Sequence, residues 1–382
     1  MSQTKAQLLQ GTAAENVTVD NIVTTSVNGG QLSHRNRIIN GSMLINQRAS
    51  SYTATGEYYI LDRFEKRTGS GFSFDATTTQ DSSAPDGFTK SLKITPDSTE
   101  TPTGSHNAII GQKIEADALI GFASGTSSAK KFVLSFYVKS ASQNNGHQYS
   151  VQLSKLKSDG NRYYQNASFT VTSSWQRFTV AFPADTVHNI TTGNGEGIRI
   201  LWHLAAGPDD IASQVTSWTL GGGNYAVTGQ SNFMDNTSNE FYLTGVQLEA
   251  SDSDVATDFE HRSFGEELSL CQRYYQRWKG FSDHNGIGAG RGNGGSGVFV
   301  SVNLIKCLRA APSITNSGIV CFKPGASSTS TTNTPSLTNA SAFDPTMCAF
   351  PISITGLSGM DNNSGGYSVF LSNSDLQLDA EL

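Results

Sequence analysis

The chain has 382 residues, enough for two or three domains and a substantial core. Only 15% of them are charged, the formal net charge is −6 and no basic stripe stands out, so nucleic acid is set aside as a partner. No apolar run approaches the roughly 20 residues that cross a bilayer, which disfavours membrane insertion, and the opening MSQTKAQLLQGTAAENVTVDN lacks the hydrophobic centre of a signal peptide.

Residues 1–35 read as an extended arm. After a possible short helix around Lys5 to Gln10, the stretch NVTVDNIVTTSVNGG carries Val17, Val19 and Ile22 as its few apolar side chains. Such a segment buries too little to offset its own ordering entropy, so it is expected to order by docking on another protein. At Asn36 an Ile/Leu alternation and a Gly turn mark the start of a folded unit, and Tyr58 and Tyr59 follow, one ring expected on each face.

Residues 36–262 show period-two patterning, strand after strand, bounded by Gly, Asn, Asp or Ser. KKFVLSFYVKS puts Phe132, Leu134, Phe136 and Val138 on one face, and WQRFTVAFPA does the same with Phe178, Val180 and Phe182. GIRILWHLAAG aligns Ile198, Ile200, Trp202 and Leu204, leaving Arg199, Leu201 and His203 opposite. EFYLTGVQLEA has Phe241 and Leu243, then Val246 and Leu248 after an irregularity at Gly245. Such faces cover one another in two stacked sheets, so the fold class is all-β and the expected architecture a jelly-roll sandwich. Trp175 and Trp202 are expected in its core.

Over 263–280 the period changes to three and four, with Leu268, Cys271, Tyr275 and Trp278 in one stripe. Ser263 and Glu266 have capping-box spacing and Gly280 is the expected C-cap of this connecting helix. The stripe suits packing against the sandwich or against other copies. Residues 281–382 then read as a smaller, charge-poor β domain, with Val298, Val300, Val302 and Leu304 alternating.

Cys271, Cys307, Cys321 and Cys348 are too widely spaced for a zinc or dithiol motif and are expected as free thiols, although Cys307 and Cys321 flank a possible hairpin. HExxH, GxSxG and the phosphate-binding glycine loop are absent, and GIGAGRGNGG lacks the strand-then-helix setting of a dinucleotide loop. The acid pairs Glu266 with Glu267, Asp209 with Asp210 and the Glu260–His261 neighbours read as solvated or capping groups. No catalytic residue, cofactor or metal is expected.

NRIINGSMLINQRA with DRF, KFVLSFYVKS, SSWQRFTVAFP, FYLTGVQLEASDSDVATDFEHRSFGEELSLCQRYYQR and the closing LDAEL together resemble tail fibres and related receptor-binding proteins of tailed bacteriophages, of marine and cyanobacterial type. The resemblance is good over 36–280 and looser beyond. The strand set is also similar to the jelly rolls of carbohydrate-binding modules. It departs from them where a first-strand acid would stand, since NGSMLINQ offers Met43, Leu44 and Asn46. The resemblance implies a homotrimeric virion protein, assembled in the host cytoplasm, that binds other tail or virion proteins through its N-terminal arm and host cell-surface polysaccharide through its distal part. An architectural appendage and a polysaccharide depolymerase are the alternatives.

Sugar recognition favours aromatic platforms beside polar groups. Trp218 and Tyr225, in SWTLGGGNY, are the ring candidates, or else plugs for one end of the sandwich. Arg199 and His203 share the outward face of one strand, where they either line a concave sheet or face water. His34, Arg35 and Arg37 at the arm junction suit an acidic docking surface or a solvated hinge.

Overall fold

A computed structural model describes residues 33–49, 51–54, 58–279, 285–292, 297–316, 320–322, 329–331, 337–339, 346, 349–355, 365–371 and 375–382. The arm residues Val17, Val19 and Ile22 lie outside these. Nearly all regular structure is β. In chain order the strands of the first unit are β1 (Ser51–Ala54), β2 (Tyr58–Leu61), β3 (Phe64–Gly69), β4 (Ala76–Asp81), β5 (Ser91–Pro96), β6 (Asn107–Glu115), β7 (Lys131–Ser140) and β8 (Gln148–Leu156). They continue with β9 (Arg162–Thr170), β10 (Gln176–Phe182), β11 (Glu196–Ala206), β12 (Ile211–Ala212), β13 (Thr219–Leu220), β14 (Ala226–Val227) and β15 (Phe241–Ser251). A small sheet runs β1-β4-β5-β15-β7-β10 and a large one β13-β9-β8-β11-β6-β3-β2, antiparallel throughout.

The two sheets close over one apolar core, giving the jelly-roll sandwich expected from the alternation. Phe132, Leu134, Phe136 and Val138 on β7 are fully buried, and so are Ile198, Ile200, Trp202 and Leu204 on β11. Phe136 meets Trp202 edge-on across the layers, with ring centroids 5.6 Å apart. Trp175 departs from expectation: it sits half-buried on the outer face of the small sheet, 6.0 Å from the Tyr242 ring. Its place just before β10 sends it away from the inward set that begins at Phe178.

β15 is buried on both faces, because residues 252–262 return across its outer side. Thr257 bonds the Glu249 carboxylate through N and Oγ1 (both 2.7 Å), and Glu260 N donates to Gln247 Oε1 (2.8 Å). The irregularity at Gly245 is a real register shift. Its φ is +60°, and a Cβ there would lie 2.7 Å from Tyr137 and 2.8 Å from Phe88, so glycine is required on two counts.

The segment from Asn36 to Ile45 is not the strand its alternation suggests. Side-chain amides replace the ladder: Asn36 Nδ2 donates to Val246 O (3.1 Å) and its Oδ1 accepts from Leu248 N (3.1 Å). Asn40 bridges Ile45 and Asp62. Ile38, Met43 and Ile45 are thereby buried at the sandwich edge. Gly41 passes so close to β15 that a Cβ would stand 2.1 Å from Val246 O. Gly41→Ala is expected to cost about 1–3 kcal/mol through backbone displacement, measured as a lower denaturant midpoint with unchanged slope.

A helix begins where expected, α1 (Phe264–Gln272), with Ser263 Oγ accepting from Glu266 N (3.3 Å). It does not reach Gly280. The chain turns at Arg273 and continues as β16 (Tyr275–Lys279). The reason is non-local: β16 is paired along its length with a strand a hundred residues later, and Gln276, fully buried, bonds Gln272 O and Ile305 N. The stripe is therefore split. Leu268 and Cys271 lie on α1, whereas Tyr275 and Trp278 lie on β16, and Trp278 packs against a second core of Val298, Val300, Val302 and their neighbours.

That second unit contains β17 (Asn285–Gly292), β18 (Gly297–Asn303), β19 (Ser313–Asn316), β20 (Val320–Phe322), β21 (Thr329–Thr331), β22 (Leu337–Asn339), β23 (Ala349–Thr355), β24 (Gly365–Leu371) and β25 (Asp375–Asp379). Seven of these strands form a sheet ordered β21-β20-β24-β17-β18-β23-β22. The remaining three-stranded sheet, β16-β25-β19, brings the final strand back to the strand by which the chain left the sandwich. Cys271 is a buried free thiol, as expected, but Cys307 is disulfide-bonded, contrary to expectation. The side chain of Cys321, the candidate partner, lies outside the described residues.

Candidate functional site

The junction of the two units holds a cleft of about 330 Å³ lined by Arg48, Ala49, Tyr52, Tyr58, Tyr59, Tyr275, Gln377 and Asp379. One wall is Arg48, Ala49, Tyr52, Tyr58 and Tyr59 at the sandwich edge; the other is Tyr275 of β16 with Gln377 and Asp379 of β25. Tyr52 is the open ring, 42% exposed, and lies 4.6 Å from Tyr58 at 35°. Arg48 forms the floor, its guanidinium 3.9 Å from the Tyr275 ring and 5.1 Å from that of Tyr59.

Hydrogen bonds fix these groups. Arg48 donates to Asp379 Oδ2 (2.8 Å) and Glu381 Oε1 (3.1 Å). Tyr275 donates to Gln377 Oε1 (2.9 Å), and Tyr59 to Leu382 O (2.9 Å). Burial disfavours the charge on Arg48, yet Glu381 and Asp379 outweigh it and hold its pKa above the usual value. Burial pushes the Tyr58 and Tyr275 hydroxyls up to about 12, so both stay neutral. The cleft thus offers rings, neutral hydroxyls and a carboxylate, and its one cation is already matched by two anions. Such a surface stacks on C–H faces and exchanges hydrogen bonds with hydroxyls.

The residues singled out from sequence sit elsewhere. Trp218 is half-buried at the sandwich end, donating to Pro183 O (2.8 Å) and meeting Phe132 edge-on at 5.5 Å. Lys155 Nζ lies 4.4 Å from its ring. The ring is thus packed against the sandwich core. Tyr225 packs 4.8 Å from Tyr164, its backbone held by Gln152 Oε1 and Asn166 Nδ2. Arg199 and His203 do share the outer face of β11, but residues 211–231 cross that face on side-chain hydrogen bonds from Ser150, Gln152, Asn166 and Gln230. Arg199 is consequently 7% exposed and His203 fully buried. Burial, followed by the charge of Arg162, lowers the Arg199 pKa to about 10; burial, then Arg199 and Arg67, lowers that of His203 to about 3.

Of the carboxylates considered for hydrolysis, Glu266 and Asp209 are exposed, whereas Glu267, Asp210 and Glu260 are bound into the fold. Glu267 accepts from Asn40 N and Arg262, Asp210 from Asn107 (2.6 Å), and Glu260 from Asn36 N (2.9 Å). Among the described residues no group of three or more His, Cys, Asp or Glu side chains is placed to hold a metal, and no helix is long and apolar enough to cross a membrane. At the arm junction, Arg35 donates to Asp258 O (3.4 Å) and Arg37 N to Leu248 O (2.9 Å). Tyr52 went unnoticed in the sequence, although SYTATGEYY places three tyrosines within eight residues; the other half of the cleft lies more than two hundred residues on.

Neither a family model nor a curated protein matches the chain. Among solved structures it is similar to the enzymatically active domain of a bacteriophage CBA120 tailspike protein, at 13% identity and TM-score 0.29, over 56% of this chain and only 21% of that one. It is similar to a family 11 carbohydrate-binding module from a Clostridium thermocellum cellulase, at 14% identity and TM-score 0.27, over 55% of this chain and 100% of that one. A xylan-binding domain from Paenibacillus barcinonensis matches at 10% identity and TM-score 0.28, over 53% and 94%. At such TM-scores none of these likenesses carries a residue-level correspondence.

Proposed function

We propose that the chain is a non-enzymatic carbohydrate-binding protein of a phage particle, a tail fibre that docks through its N-terminal arm and holds neutral sugar units of a host polysaccharide in the tyrosine cleft. The observation that carries the glycan reading is the cleft itself: an exposed ring beside fixed hydrogen-bonding groups, at a volume within the range of ligand pockets. The virion role rests on the sequence resemblance over 36–280. Copies assembled as a homotrimer multiply weak single sites into useful avidity.

The test is binding to an array of neutral gluco-, xylo- and galacto-oligosaccharides, followed by titration of the best one. Tyr52→Ala is expected to weaken binding roughly 3- to 10-fold, the worth of one stacked ring, without changing the thermal midpoint. Equal affinity of the two proteins refutes the cleft. Release of reducing ends from the bound glycan refutes the non-enzymatic reading and makes the protein a depolymerase.

A further inference from the structure

We infer a second recognition site, for an anionic group on a polysaccharide (a uronate carboxylate or a sulfate ester), on the outer face of the large sheet around Arg199. It rests on the glycan reading above but not on the tyrosine cleft.

Strand register assembles the charges. Arg199 on β11 stands directly opposite Lys113 on β6. Beside them are Glu65 and Arg67 on β3, whose ion pairs join Glu65 to Arg67 (3.8 Å) and to Lys113 (3.3 Å). On the other flank Arg162 pairs with Glu196 (2.7 Å). Among the described residues, four cations and two carboxylates share this surface of a protein whose net charge is −6. Arg67, Lys113 and Arg162 each keep 19% of their side chain in solvent, so the surface is reachable.

Arg199 carries an unmatched donor. Its Nη2 donates to Gly222 O (3.0 Å), while its buried Nε has no acceptor. A guanidinium has five N–H donors in a planar fork suited to oxyanions, and leaving a buried donor unmatched is costly. The segment Gly221-Gly222-Gly223 above it presents no side chains; a Cβ on Gly222 would meet nothing within 4 Å, whereas one on Gly221 or Gly223 would strike the Tyr164 or Tyr225 ring. An anionic group therefore meets the partly exposed Arg67, Lys113 and Arg162 side chains beside a guanidinium whose Nε has no acceptor.

The two sites adjoin. Lys113 Nζ (2.6 Å) and Tyr59 Oη (2.9 Å) donate to the same oxygen, Leu382 O. One polysaccharide chain carrying neutral and charged units can lie across both.

The test is calorimetric titration of the full chain with oligogalacturonate, a sulfated galacto-oligosaccharide and a neutral galacto-oligosaccharide of equal length, at 50 and 200 mM NaCl. At least one anionic probe is expected to bind about tenfold more tightly than the neutral one and to lose that advantage at the higher salt. Which probe wins tells carboxylate from sulfate. Arg199→Met is expected to weaken anionic binding about tenfold; should that variant fold poorly, Arg162→Glu, at a partly exposed position, is expected to abolish the preference in protein that circular dichroism shows to be folded. Tyr52→Ala is expected to preserve it. Anionic probes binding no better than the neutral one, or an undiminished preference in folded Arg162→Glu, overturns the inference. Arg-dependent anionic binding without any neutral binding upholds it and removes only the tyrosine cleft.

Discussion

Glu381→Ala is expected to lower the stability of the junction by about 3–5 kcal/mol, the range found when one partner of a buried ion pair is deleted. The Glu381 side chain is 4% exposed and pairs with Arg63, itself 1% exposed, while its other oxygen accepts from Arg48. Burial works against the Arg63 charge and Glu381 overcomes it, raising the guanidinium pKa. Truncating Glu381 leaves Arg63 with Lys113 O and the Tyr274 ring, 3.5 Å away, and leaves Arg48 with the Asp379 carboxylate and the Tyr275 and Tyr59 rings. The loss is read from the first transition in guanidinium chloride, since a chain with two cores need not unfold in one step. It should appear also as faster hydrogen exchange in β25, whose seat on the sandwich depends on this carboxylate. The double variant Arg63→Met/Glu381→Leu should recover much of the loss, because an apolar pair strands no charge. A single-variant cost below about 1 kcal/mol, the scale of an exposed pair, contradicts the buried-pair account.

The same junction shows what sequence patterning reaches and where it stops. The inward sets of β7 and β11 were legible because a pleated strand alternates its side chains by local geometry alone. Gly245 was legible as an irregularity for the same reason: one residue breaks the period. Asn36 to Ile45 misled, since two asparagines supply the bonds a ladder would have made, and nothing local distinguishes them from turn residues. Tyr275 and Trp278 fit a helical stripe as well as a strand, and the choice was made by β25, whose Asp379 and Leu376 lie opposite them. Arg199 and His203 were rightly placed on the outward face, but their burial depends on a glycine-rich crossing with no period of its own. The cleft needed both Tyr52 and Asp379, which no spacing rule connects.

The outer face of β11 gives the second large effect, a loss of stability in acid traceable to His203. Its Nε2 bonds Gln152 Oε1 at 3.2 Å, its Nδ1 has no partner, and the charged groups acting on it, Arg199 and Arg67, are both cationic. The folded protein therefore keeps the imidazole neutral down to a pKa of about 3, with burial the main cause. In the unfolded chain the group titrates near 6.5, so between these values the unfolded state binds a proton that the native state refuses. Stability from this residue is complete above about pH 6.5 and falls by about 1.4 kcal/mol per unit as the pH drops toward 3. His203→Gln retains a donor for Gln152 and removes the titration. Unfolding free energies of both proteins at pH 7.5, 6, 5 and 4 should converge as the pH falls, the wild type losing more at every step; parallel profiles contradict the assignment. The first structure to loosen should be the crossing above the sheet, because Gln152 Oε1 also accepts from Tyr225 N (2.9 Å) and Gln230 Nε2 donates to His203 O (2.9 Å). Faster exchange of the Tyr225 amide below pH 5, in the wild type and not in the variant, ties the proton to the cover over Arg199.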